Sequence, residues 1–177
     1  SISGYTYAGQ AVPLSFPLKG DTYCVSSAGS SPVINRHRLD PTAAFYDVTR
    51  AMQYATDLYK LGGSGSIANG LLPGDLTAYP AFGDTVYSPC DGKVLSVIDG
   101  VPDVNVYAVL EEFKERQRMI EEGRGDELEP PIGNSIVLEK GDVKILLTHL
   151  KNGSLLVSPG DEVATGQSLA TLGTSGK

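Results

Sequence analysis

The chain has 177 residues, 41% of them hydrophobic and 20% charged, and a formal net charge of −7. A single core of that size stands without disulfide or metal staples, while the acidic balance excludes a nucleic-acid-binding face, which needs clustered Lys and Arg. No apolar run approaches the ~18 residues of a membrane-spanning helix.

The opening Ser1-Ile-Ser-Gly-Tyr-Thr-Tyr7 carries no signal-peptide pattern. A cytoplasmic protein, a processed exported one and a trimmed one all stay open. The first chemistry-bearing residue is Cys24, matched only by Cys90. Such a pair can bridge, or sit apart as two small buried apolar residues. With no ligand-spaced Cys pair, a Cys-based zinc site is excluded. One of the two histidines follows, in Ile34-Asn-Arg-His-Arg-Leu-Asp-Pro-Thr-Ala-Ala-Phe-Tyr-Asp47. If Ala43 to Arg50 is a strand, Ala43, Phe45, Asp47 and Thr49 share one face. A carboxylate on such a face costs free energy unless it is paired or bound to a cation, so Asp47 is the better partner for His37. Asp40 precedes Pro41 and is assigned to loop geometry. The plain alternative is a solvated Asp47 and an idle His37. Leu61-Gly-Gly-Ser-Gly-Ser-Ile-Ala-Asn-Gly70 reads as a flexible loop.

From about residue 84 the pattern becomes short strands broken by Gly-bearing turns. Asp84 to Ser88 is a strand, Pro89-Cys-Asp-Gly92 a turn and Lys93 to Ile98 the return strand, because Pro pre-sets φ and Gly accepts positive φ. Val106, Val109, Leu110, Phe113 and Ile120 then recur at helical steps, which predicts an amphipathic helix over 106–123 inserted in a β domain. Glu112 with Arg116, and Arg118 with Glu122, support its wet side at roughly 0.2–0.5 kcal/mol a pair. Gly123 and Gly125 end it. Gly133 to Glu139 and Val143 to Leu150 predict a hairpin across Lys140-Gly-Asp142. In its second strand, alternation puts His149 on one face with Val143, Ile145 and Leu147. Such a ring is either a satisfied core residue or a proton shuttle suited to neutral pH. A third pair flanks Ser158-Pro-Gly-Asp161. The scaffold expected is mainly β: one two-sheet antiparallel, sandwich-like domain over residues 1–177.

Four phrases give these elements a context. Phe82-Gly-Asp-Thr-Val-Tyr-Ser-Pro-Cys-Asp-Gly-Lys-Val94 resembles the G-x-x-V-x-A-P-x-D-G-x-V segment of the lysostaphin/LytM-type zinc metalloendopeptidases. Gly133-Asn-Ser-Ile-Val-Leu-Glu139 is similar to their G-N-x-V-x-I strand, and Leu147-Thr-His-Leu150 to their Y-x-H-L strand. Val157 to Gly173 is similar to V-x-x-G-D-x-V-x-x-G-Q-x-I-A-x-x-G. The resemblance implies one zinc in the cleft of an antiparallel β fold, with Asp47 in the place of the zinc carboxylate and His149 in that of a catalytic histidine. His37 fills a ligand place less directly: the family sets its first ligand four residues before the aspartate, where this chain has Ala43, although Asn35-Arg-His37 matches an N-x-H ahead of that strand. Leu172-Gly-Thr-Ser-Gly-Lys177 resembles the G-x-S-G-x that leads into the family's His-x-His, and the sequence closes there, so the expectation is a domain truncated at its C-terminus.

What the resemblance implies about function is hydrolysis of peptide bonds in bacterial peptidoglycan by an exported, periplasmic or extracellular protein. With His37 and Asp47 as only two of three protein ligands, zinc binding by this chain is expected to be weak or absent. A second reading is a degenerate, non-catalytic module that binds cell wall or activates an enzyme, which Ala43 favours. A third is a biotinyl/lipoyl carrier or a sugar-phosphotransferase IIA domain. The first would modify Lys140, which lacks the expected neighbouring Met; the second would use His149 as phosphate acceptor.

Overall fold

The computed structural model describes residues 12–20, 23–26, 54–69, 74–124 and 132–176. Their architecture is mainly antiparallel β with one α-helix. The strands are β1 (Tyr23–Ser26), β2 (Asp57–Lys60), β3 (Thr85–Tyr87), β4 (Gly92–Ile98), β5 (Asn134–Lys140), β6 (Val143–Leu150), β7 (Glu162–Val163) and β8 (Ser168–Thr171). The helix, α1 (Val106–Glu121), lies between β4 and β5. Strands β6, β5, β4 and β7 form a four-stranded sheet in that order, and β1–β2 and β3–β8 form two-stranded ribbons.

The core follows from strand alternation. Ile136 and Leu138 of β5, Val94 of β4, Val163 of β7 and Leu150 of β6 meet Val86 of β3 and Leu169 and Ala170 of β8 in one cluster. The core thus sits between the four-stranded sheet and the β3–β8 ribbon. Each fully buried Val, Leu or Ile side chain there contributes about 1.5–3 kcal/mol.

The expected hairpin of β5 and β6 forms, with Lys140 opposite Val143 across Gly141-Asp142. The other two expected pairings do not. β3 pairs with β8 rather than with β4, and β4 pairs with β5 and β7. Pro-Cys-Asp-Gly makes its bend, but as a corner between two sheets. A hairpin tip would be exposed, whereas Ser88 and Cys90 are 1% and 0% exposed. Here Ser88 Oγ donates to the Cys90 carbonyl at 2.6 Å, and the Ser88 backbone exchanges hydrogen bonds with Gly166 and Gln167, at 2.8 Å each. The local turn chemistry is the same in both arrangements, so the sequence pattern alone does not choose between them. Ser158-Pro-Gly-Asp161 likewise closes on itself, with Ser158 N–H on the Asp161 carboxylate at 2.8 Å, while the strands after it join separate sheets.

The helix obeys its end signals. Asn105 caps it, its side-chain oxygen accepting from Tyr107 N and Ala108 N at 3.1 Å each. At the other end Gly123, at φ 75°, donates to the Ile120 carbonyl, and Arg124 donates to that of Met119. This is the Schellman pattern, which asks for a left-handed residue and so for glycine. The expected Arg118–Glu122 pair closes at 2.9 Å, and Arg118 also pairs with Glu115. No helix among the described residues is long and apolar enough to cross a membrane. Cys24 and Cys90 are both free thiols, and burial pushes the Cys90 thiol above its ordinary value.

Within the loop read as flexible, Gly62 N donates to Ser66 O at 2.8 Å, and Asn69 N donates to Ala78 O at 2.8 Å. The β1–β2 ribbon beside it is fastened to the start of β3 by one carboxylate. Asp84 Oδ2 accepts from the Tyr23 hydroxyl and from Lys60 Nζ, both at 2.6 Å. Partial burial pushes Asp84 upward, but Lys60 and the Tyr23 hydroxyl outweigh it and hold the carboxyl below the usual aspartate range. Burial, and then the Asp84 carboxylate, push the Tyr23 phenol well above its ordinary value.

Candidate functional site

The site builds from the far end of β6. Asn134 pairs with Leu150 and Ile136 with Leu147, so two steps along β5 answer to three along β6. That extra residue is a β-bulge at Thr148–His149, a device that bends a strand and re-aims a side chain. His149 takes φ 58° and is the one non-glycine residue with positive φ among those described. Histidine enters that region more readily than most residues, yet holding it there costs on the order of 1–3 kcal/mol.

The bulge overturns the alternation expected for His149. Ile145 and Leu147 pack against the core, and the next core place is taken by Leu150, which is 1% exposed. His149 leaves that row and is half-buried. Its backbone is pinned from two sides: His149 N donates to Ile132 O at 3.2 Å, and Gly173 N donates to His149 O at 3.0 Å. Its ring Nδ1 lies 2.7 Å from the Ser175 carbonyl oxygen.

Around that contact two fully buried polar residues are satisfied by each other and by backbone. Asn134 and Ser175 are both 0% exposed. Ser175 Oγ donates to the Leu150 carbonyl at 2.6 Å and accepts from Asn134 N at 2.9 Å. The Asn134 amide donates to Val101 O at 2.8 Å and Leu150 O at 3.0 Å, and its oxygen accepts from Val101 N at 2.8 Å. Buried polar atoms need such partners, since an orphan costs roughly 1–3 kcal/mol. Gly133 is required by the same approach: at φ 60°, a Cβ there would overlap the Ser175 carbonyl.

The segment entering α1 is drawn to this corner as well. Asp103 bridges to Ser175; its carboxylate accepts from Thr174 N at 2.7 Å and from Asn152 N at 3.0 Å. Asp99 accepts from Gly153 N at 2.9 Å. The two carboxylates therefore hold the backbone just after His149, at Asn152 and Gly153, and that beside Ser175, at Thr174. Neither Asn134 nor Ser175 was singled out by sequence. The available signal was a polar residue beside glycine, in Gly133-Asn134 at the start of β5 and in Ser175-Gly176 beyond β8.

Of the candidate residues, the structure thus places His149. His37 and Asp47, the two candidate metal donors, lie outside the described residues, as does Asp40. Among the described residues no group of three or more His, Cys, Asp and Glu could hold a metal. Set against models of known protein families the chain matches none, and no curated protein matches it.

Proposed function

We propose that this chain is a zinc-dependent metalloendopeptidase-like domain which, when complete, hydrolyses peptide bonds of bacterial peptidoglycan outside the cytoplasm. The observation that carries the reading is His149: a half-buried imidazole set off its strand by a bulge, in a left-handed backbone conformation, with Nδ1 on a fixed carbonyl. Strain of that kind persists where the surroundings over-determine it, and functional sites are where it collects.

His37 and Asp47 would hold the metal. A neutral imidazole and a carboxylate are donors zinc accepts, and they supply two of the three protein ligands a catalytic site uses. Bound zinc supplies Lewis acidity and brings the pKa of a water toward neutrality. The rest is the work of His149. Its Nε2 takes the proton from the attacking water and, once charged, donates a hydrogen bond to the oxyanion or passes the proton to the leaving amine.

The test is amine release from peptidoglycan by the full-length protein. His149→Ala is expected to lower turnover by about 10²–10⁴, the range of a general acid–base group, with its melting temperature kept. His37→Ala and Asp47→Ala are expected to lower zinc content as well as turnover. Undiminished turnover in His149→Ala would falsify the reading. Ala43, at a position where the resembled family carries a ligand, favours a second reading as a wall-binding module without catalysis. That module would bind peptidoglycan equally with and without His149 and release no amine.

A further inference from the structure

We infer that the buried Asn134–Ser175 pair selects the Nδ1–H tautomer of His149, which makes Nε2 the atom through which this histidine handles protons. Asn134 and Ser175 are then positioning residues. The use made of the proton rests on the peptidase reading above; the tautomer rests on geometry alone.

A carbonyl oxygen can only accept. The 2.7 Å contact between Nδ1 and the Ser175 carbonyl therefore requires the proton on Nδ1. A neutral imidazole carries one ring proton, so its lone pair sits on Nε2. The preference is as firm as the carbonyl is fixed. Ser175 is 0% exposed, and its hydroxyl is clamped between the Leu150 carbonyl, to which it donates, and the Asn134 backbone N–H, from which it accepts. Leu150 is the neighbour of His149 in the chain, so the group that orients the ring and the backbone that carries it are tied to one strand end. The Asn134 side chain reaches the same Leu150 carbonyl at 3.0 Å. Gly173 N on the His149 carbonyl, at 3.0 Å, closes the ring of constraints. Removing the Ser175 hydroxyl leaves the Leu150 carbonyl its bond from Asn134. That change loosens the carbonyl facing His149 without orphaning the Leu150 oxygen.

Long-range proton–nitrogen spectra of the imidazole rings, on uniformly ¹⁵N-labelled chain at a pH where the rings are neutral, test this directly. Only two histidines are present, and a His37→Gln sample assigns them by subtraction. The expected pattern for His149 is a protonated-nitrogen shift at Nδ1 and a lone-pair shift at Nε2. Ser175→Ala is expected to move both toward the average of two tautomers. In the full-length protein the same variant should lower kcat by about 10–100-fold, the usual loss for an outer partner of a working histidine, with KM little changed. A wild-type ring protonated at Nε2 overturns the inference, as do His149 shifts unmoved in Ser175→Ala. Should that variant fail to fold, the wild-type spectrum still decides. A wrong tautomer with hydrolysis still dependent on His149 strikes the positioning alone; a correct tautomer without hydrolysis strikes the peptidase reading alone.

Discussion

Asp84 is the residue where a charge does the most visible structural work, because two donors from different strands converge on one of its oxygens. Its folded pKa lies below the ordinary aspartate value. The stability it contributes is therefore fully present above the unfolded value and is lost as the pH falls through the folded one. Urea midpoints measured against pH should decline below the ordinary aspartate range, and Asp84→Asn should flatten that decline. At neutral pH the substitution should cost about 1 kcal/mol, since the Lys60 pair is partly exposed. Parallel acid profiles for wild type and variant would dismiss the anchor. At this scale the sequence was informative about chemistry and poor about placement. His149 could be singled out from its polar ring in an apolar strand, but a bulge displaces it from the face that alternation assigned. A one-residue insertion in pairing leaves no local signal, because it depends on which residue the partner strand presents.

Elements were legible where their signals are local. The α1 helix spans Val106–Glu121 against an expected 106–123, since cap, periodicity and terminal glycine all act within a few residues. Asn105→Ala removes the side-chain acceptor for two amides and should cost about 1 kcal/mol. Far-ultraviolet circular dichroism and urea titration would register it, and the His149 ring signals should not move. A shift at His149 would mean that the helix entry and the site are more tightly joined than the Asp103 contacts require. Strand partners were less legible. β3 and β4 are consecutive and joined by turn-forming residues, yet belong to different sheets, because the same turn chemistry serves a corner that buries Ser88 and Cys90. The β5–β6 hairpin was readable because its turn, Gly141-Asp142, stays exposed and its flanks are directly complementary.

At the scale of the chain, the antiparallel β class with a helix inserted over Val106–Glu121 was readable, among the described residues, from turn spacing and from a switch of hydrophobic period. The proposed site draws on distant parts of the chain: His37 and Asp47 as metal donors, and His149 as the group that handles the proton. Calorimetry should find zinc binding to the 177-residue chain weak, with two donors proposed where a catalytic site uses three. Tight one-to-one binding that survives His37→Ala would mean that other residues hold the ion.

The paired stem made by β1 and β2 bears on how such a protein can change over generations. Ser26 lies opposite Asp57, so the chain between them leaves and re-enters at neighbouring points, and Asp84 bolts that doorway to β3. Lengthening a connection whose ends are already held together costs only about 0.6 kcal/mol for each doubling. The closure part of the cost of added length between Ser26 and Asp57 is thus small, because the stem holds those two ends side by side.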